Sequence, residues 1–151
     1  MTYFTGTNGS LEIDGQRAAR VINWRLSANT ALLPVTSLGD TDQVLTAGIT
    51  NTTGTCQLCY YEALPGETER NDASYLLNTI LKARASSGDP GKASERTTVT
   101  FKLIIEDGTA DGKRVTVDAY IQNATIGSSV GAITQAQIVF QSVGAPTEVA
   151  I

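Results

Sequence analysis

The chain has 151 residues, 41% hydrophobic and 17% charged, which describes a folded protein rather than a disordered one. It is long enough for one domain, 1–151, that buries about 70% of the surface its unfolded form exposes. A net charge of −4 argues against ordinary nucleic-acid binding, and the absence of histidine removes the usual general base and the commonest transition-metal ligand, so neither catalysis nor a cofactor is expected.

No apolar run approaches the roughly 18 residues of a membrane span. Met1 to Thr5 has neither the basic nor the apolar region of a secretory signal, and synthesis in a cytoplasm is the expectation. Gly6-Thr7-Asn8-Gly9 lacks the Gly-Lys-Ser/Thr end of a phosphate loop and reads as an entry turn. Gly9-Ser10-Leu11-Glu12-Ile13 then leads to Asp14-Gly15, a two-residue hairpin signal. A returning strand is expected from Gln16 into the Trp24 segment as one long β-arm. There Ile22, Trp24, Leu26 and Ala28 alternate with Asn23, Arg25, Ser27 and Asn29, the period of a half-buried strand.

From Leu33 to Gly54 the chain is rich in Thr, Gly, Asp and Asn, too long for a plain loop unless it carries function or is ordered by a partner. Thr55 to Glu62 reads as a strand apolar on both sides. Its Cys56 and Cys59 point to opposite faces and lack a second ligand pair, so they read as ordinary thiols rather than a redox or zinc site. Asn71 to Arg84 is the one convincing helix, with Leu76, Leu77, Ile80 and Leu81 at helical spacing and Lys82 and Arg84 near its negative end. Ser86 to Glu95 is a polar link.

The C-terminal half alternates most clearly. Val99, Phe101, Leu103 and Ile105 form one strand face, and Val115, Val117, Ala119 and Ile121 another. Asp107 and Asp111 flank glycines as turn residues, predicting a hairpin, and with Asp118 they do not match a calcium loop. A last strand runs from Thr134 to Val143. Trp24, Leu26, Phe101, Leu103 and Phe140 are the predicted core. The fold class is mainly β: an antiparallel β-sandwich or partly closed barrel with one flanking α-helix.

These segments resemble the major tail tube protein of tailed bacteriophages. The resemblance rests on Gly9-Ser10-Leu11-Glu12-Ile13-Asp14-Gly15, on Trp24 to Ser27, on Thr36-Ser37-Leu38-Gly39-Asp40, and on Phe140 followed by Gly144-Ala145-Pro146. It covers most of the chain, weakly between Glu62 and Arg96. It implies a non-enzymatic virion protein that forms hexameric rings, stacked into a tube that conducts DNA during ejection. A ring of six carries a formal 6 × (−4) = −24. The ring-stacking element would be Thr36-Ser37-Leu38-Gly39-Asp40-Thr41-Asp42-Gln43-Val44-Leu45-Thr46-Ala47-Gly48-Ile49. Implied partners are further copies of the chain, a tape-measure protein, a tail terminator, baseplate or tip proteins and, in a contractile tail, a sheath; DNA passes transiently without sequence preference. Two alternatives stand beside this reading: the inner tube of a contractile secretion or toxin-delivery machine, and a monomeric β-sandwich that binds a carbohydrate or protein ligand.

Overall fold

A computed structural model describes residues 9–17, 21–60, 98–105 and 112–151. The strands are β1 (Ser10–Ile13), β2 (Gln16–Arg17), β3 (Val21–Pro34), β4 (Leu45–Cys59), β5 (Val99–Ile104), β6 (Arg114–Gly127), β7 (Gln135–Ser142) and β8 (Glu148–Ala150). All pair antiparallel in one eight-stranded sheet of order β2-β1-β5-β6-β7-β4-β3, with β8 added to β6. The expected helix, Asn71 to Arg84, and the Asp107 and Asp111 turn lie outside the described residues.

The β1–β2 hairpin forms as its turn chemistry dictates. Asp14 at φ 50° and Gly15 at φ 80° take the left-handed conformations of a two-residue turn whose twist matches its strands. Asp14 also ties the turn to β5: its N–H donates to Thr100 O at 2.8 Å, and its carboxylate accepts from Thr100 N at 2.9 Å.

One face of the sheet is apolar outside the ends of β3 and β4. Leu11 opposes Leu103, Ile13 opposes Phe101, Phe101 opposes Val117, Ile121 opposes Phe140, and Cys56 opposes Ile138, so the alternating residues of five strands share a side. Phe101, Leu103 and Phe140 are fully buried, while Trp24 and Leu26 are half-buried against this cluster.

The sheet is rolled. Phe101 and Phe140 stand on strands separated by β6, opposite Val117 and Ile121, which in a flat sheet would put them roughly 16 Å apart. Their rings stack at 4.1 Å and 10°, possible only if β6 bends the sheet over its own apolar face. Connectivity demands the same: β2 and β3 end the strand order on opposite sides, about 29 Å apart if flat, yet only residues 18–20 separate them in the chain. Cα atoms of β1 and β3 accordingly approach within 8 Å. The sheet still does not close into a barrel, since among the described residues no hydrogen-bonded register joins those edges. The expected sandwich is thus one curled sheet whose halves face each other, and the expected continuous arm is two strands, β2 and β3, on opposite edges.

Three register shifts interrupt the pairing, one of them between Thr30 and Leu32, and the other two change the alternation read from sequence. One between Val21 and Asn23 turns Ile22 outward, and another between Ile121 and Asn123 reverses parity, so β6 continues to Gly127 with Ala124 and Ile126 on the apolar side. β8 carries on the line of β7 along the same edge of β6, after an interruption where Gly144 takes φ 78°.

Candidate assembly surface

β3 and β4 outrun the sheet. β7 pairs β4 only from Thr53 to Cys59, whereas β3 pairs β4 as far as Leu45, so residues 28–34 and 45–52 form a two-stranded ribbon joined by residues 35–44. Of the predicted stacking loop, Leu45 to Ile49 therefore belong to β4, and the connection proper is shorter than expected. Gly and Thr masked the strand, and Pro34 sits on β3, an edge strand, where its missing N–H costs no ladder bond.

The connection is ordered by its own side chains. Ser37 N–H and Oγ–H donate to Asp40 Oδ2 at 2.7 and 3.0 Å, Asp40 N–H donates to Ser37 O at 3.2 Å, and Gly39 takes φ 102°. Thr36 Oγ accepts from Val44 N at 3.0 Å, and Val35 N–H donates to Val44 O at 2.9 Å, closing the base. The Ser37 backbone N–H, then its hydroxyl, hold the Asp40 carboxyl below its ordinary range. This clasp presents Leu38 fully exposed, at 105% of its reference surface. Leu32, Leu33, Val35, Val44, Leu45 and Ile49 around it are also exposed.

The polar face is divided. Over β1, β5, β8 and the start of β6 it carries charge: Glu12 with Lys102 at 3.7 Å, Arg114 Nε with Glu148 Oε1 at 2.8 Å, and Thr100 donating to Asp118 at 2.7 Å. The hydrogen bond from Arg114 is the main cause of the lowered Glu148 pKa. Over β3, β4, β7 and the end of β6 it is amide and hydroxyl. Asn23 Nδ2 donates to Gln57 Oε1 at 2.9 Å, Gln57 Nε2 to Gln135 Oε1 at 2.7 Å, and Gln141 Nε2 to Asn51 Oδ1 at 3.1 Å. Across residues 21–60 and 120–142 the only charged side chains are Arg25, Asp40 and Asp42.

This uncharged part has two open edges. Among the described residues nothing pairs with β3 opposite β4, or with β6 beyond Ala119 on its β5 side. The four strands β6, β7, β4 and β3 alternate in direction, so the two open edges run antiparallel to each other.

Cys56 and Cys59 are both free and face opposite sides: Cys56 is buried, its thiol pushed up to about 12 by burial, and Cys59 is half-buried on the amide face. Among the described residues no His, Cys, Asp and Glu cluster could hold a metal, and no helix is long and apolar enough to cross a membrane. One feature escaped sequence reasoning. The β6–β7 turn exposes Val130 and Ile133, at 107% and 71%, at the end of the sheet away from the ribbon. Two apolar residues in a Ser- and Gly-rich turn were the available signal.

No protein-family model and no curated sequence matches the chain. Solved structures do. A chain of the native gene transfer agent virion is 18% identical with a TM-score of 0.64, covering 94% of this chain and 95% of that one. The chain has a tail-tube fold. The SPP1 tail tube shares it at a TM-score of 0.63 and 9% identity, over 94% of this chain and 77% of that one. A chain of the anti-feeding prophage baseplate shares it at 0.57 and 10%, over 90% and 87%. The tail-tube resemblance of the sequence therefore holds at the level of fold.

Proposed function

We propose that the chain, as a single domain over 1–151, is a non-enzymatic structural subunit of a tail tube. Copies join side by side, the open edge of β3 in one against the open edge of β6 in the next, into six-fold rings that stack and conduct DNA during ejection. The observation that carries this reading is the pair of open, mutually antiparallel edges, among the described residues, that bound the part of the sheet whose polar face has almost no charge. Head-to-tail contacts of two different patches close into rings when the rotation between copies permits. Six copies of four strands at about 4.8 Å per strand give a circumference of roughly 115 Å before tilt, hence about 37 Å across the backbone. That leaves room for duplex DNA after side chains are added. An amide and hydroxyl lining suits a cargo that must slide, because Arg25 is its one cation per copy among the described residues and a sparse ring of cations holds phosphate weakly. The tail of the empty gene transfer agent particle, of C6 symmetry, shares this fold at a TM-score of 0.63 and 18% identity, which supports the ring number.

On this reading Thr36 to Ile49 reaches the adjacent ring. The rings assemble in a host cytoplasm around a tape-measure protein, meet a terminator and a baseplate or tip at the ends, and in a contractile tail carry a sheath. A second reading, the inner tube of a contractile toxin-delivery machine, draws support from the likeness to the anti-feeding prophage baseplate chain. Neighbouring genes for a tape measure and terminase would decide for the phage. Negative-stain microscopy with sedimentation of the purified protein tests the main proposal: rings and tubes are expected, and a strict monomer at high concentration would overturn it in favour of a ligand-binding module.

A further inference from the structure

The two ends of the amide-faced sheet are dissimilar and both apolar. At one end the Ser37–Asp40 clasp presents Leu38, and at the other the β6–β7 turn presents Val130 and Ile133. That second turn is also held in shape: Thr134 Oγ donates to Ser128 Oγ at 3.0 Å, Ala132 N–H to Ser129 O at 3.3 Å, and Gly131 takes φ 81°. The sites cannot meet within one chain, because β4 alone, from Leu45 to Cys59, extends roughly 46 Å.

Charge sets the same polarity. Asp40 and Asp42 are the only charges of the connection and ribbon, while Arg25, which forms no ion pair among the described residues, lies toward the opposite end of β3. About 30 Å of strand from Arg25 to Pro34 keeps them apart in one copy. In a second copy placed end to end, the acidic tip arrives at the end toward which Arg25 lies, the one cation of β3 and β4.

We propose that the occupant of the Val130 and Ile133 turn is Leu38 of a second copy of this chain, inserted as an anchor from the ring stacked against it. The proposal rests on the tube reading and assigns the knob and its receiver. Two preformed turns lose little freedom on meeting, so a small apolar contact repeated around a ring becomes decisive. The contact is heterologous and unclosed along the axis, the geometry that propagates a filament.

The test uses the full chain with Cys59→Ser as background, leaving Cys56 buried. Leu38→Cys with Val130→Cys, oxidised after assembly, is expected to give a ladder of covalent oligomers that each single variant lacks. Leu38→Asp is expected to leave the thermal unfolding midpoint unchanged and rings present, and to reduce sedimenting tubes more than ten-fold. Val130→Asp with Ile133→Ser should reproduce this loss. Arg25→Glu should slow tube growth several-fold at low ionic strength, with Asp42→Lys restoring it. Tubes that form normally but never cross-link, or tubes of ordinary length from Leu38→Asp, overturn the contact while leaving the tube reading intact. Unchanged growth of Arg25→Glu at low salt removes the electrostatic argument for a second copy. A parent protein that forms no rings overturns both readings.

Discussion

Gly54 lies directly across from Phe140, and a Cβ built on it would overlap the Phe140 ring. That ring has no room to retreat, being fully buried and stacked on Phe101 at 4.1 Å. Gly54→Ala is therefore expected to cost about 1–3 kcal/mol, the usual penalty for overpacking. Phe140→Ala should cost about 3–5 kcal/mol through lost transfer energy and the cavity left behind. At about 2–4 °C per kcal/mol for a chain of this size, the two single variants would melt roughly 2–12 °C and 6–20 °C lower. The double variant carries the sharper test. With the ring gone the new methyl has space, and alanine is the better strand residue by up to about 1 kcal/mol. Gly54→Ala in the Phe140→Ala background should thus be neutral or stabilising, giving a coupling of about 1–4 kcal/mol in a double-mutant cycle measured by urea unfolding. Additive losses would refute the reasoning, because Gly54 would then be required by its backbone rather than by its neighbour.

The Asp40 clasp lowers that carboxyl's pKa in the folded chain, so its stabilisation is present above the unfolded value and is lost as pH falls through the folded one. Tubes should shorten on acidification below the ordinary carboxylate range, and Asp40→Asn should weaken this response; identical pH profiles would dismiss the clasp. Replacing residues 30–50 by Asn-Gly, so that Asn29 and Asn51 close a two-residue hairpin, is expected to keep the melting temperature within a few degrees and leave rings that do not stack. Cys59 should react with a bulky maleimide in the free subunit and become protected in tubes, while Cys56 reacts only on unfolding; equal Cys59 labelling in both states would take the amide face out of the channel. Gly15→Ala, at φ 80°, should cost about 1–2 kcal/mol in chemical denaturation.

The sequence was most readable where one face was apolar and the alternation unbroken. Val99 to Leu103 and Val115 to Ile121 show their strands at once, and Asp14-Gly15 shows its turn through chemistry that few other pairs supply. Bulges hid the rest. An extra residue between Ile121 and Asn123 flips the parity, so a strand that continues to Gly127 reads as one that stops. The ribbon was invisible for a different reason: residues 28–34 and 45–52 are mostly exposed on both faces, so no pattern of burial is written into them, and only pairing with each other makes them strands. The curl left little local trace, since it depends on which distant strands pair and on the room Gly54 leaves for a ring on β7. The connection stands out in the sequence as a segment, yet its clasp does not, because Ser37 and Asp40 acquire meaning only through one shared oxygen.

The pairing of β1 with β5 has a kinetic side. Ser10 must find Ile104, and Cys56 must find Ile138, before the sheet can curl, whereas β3 and β4 are neighbours in the chain and can zip together first. Loops of that length slow folding, so an early hairpin waits with both flanks uncovered while its remaining partners are still being synthesised or searched for. Its near absence of charge gives it no Lys or Glu to discourage premature pairing with another chain. In a crowded cell a longer wait for this hairpin is expected to raise the amount of chain lost to aggregation.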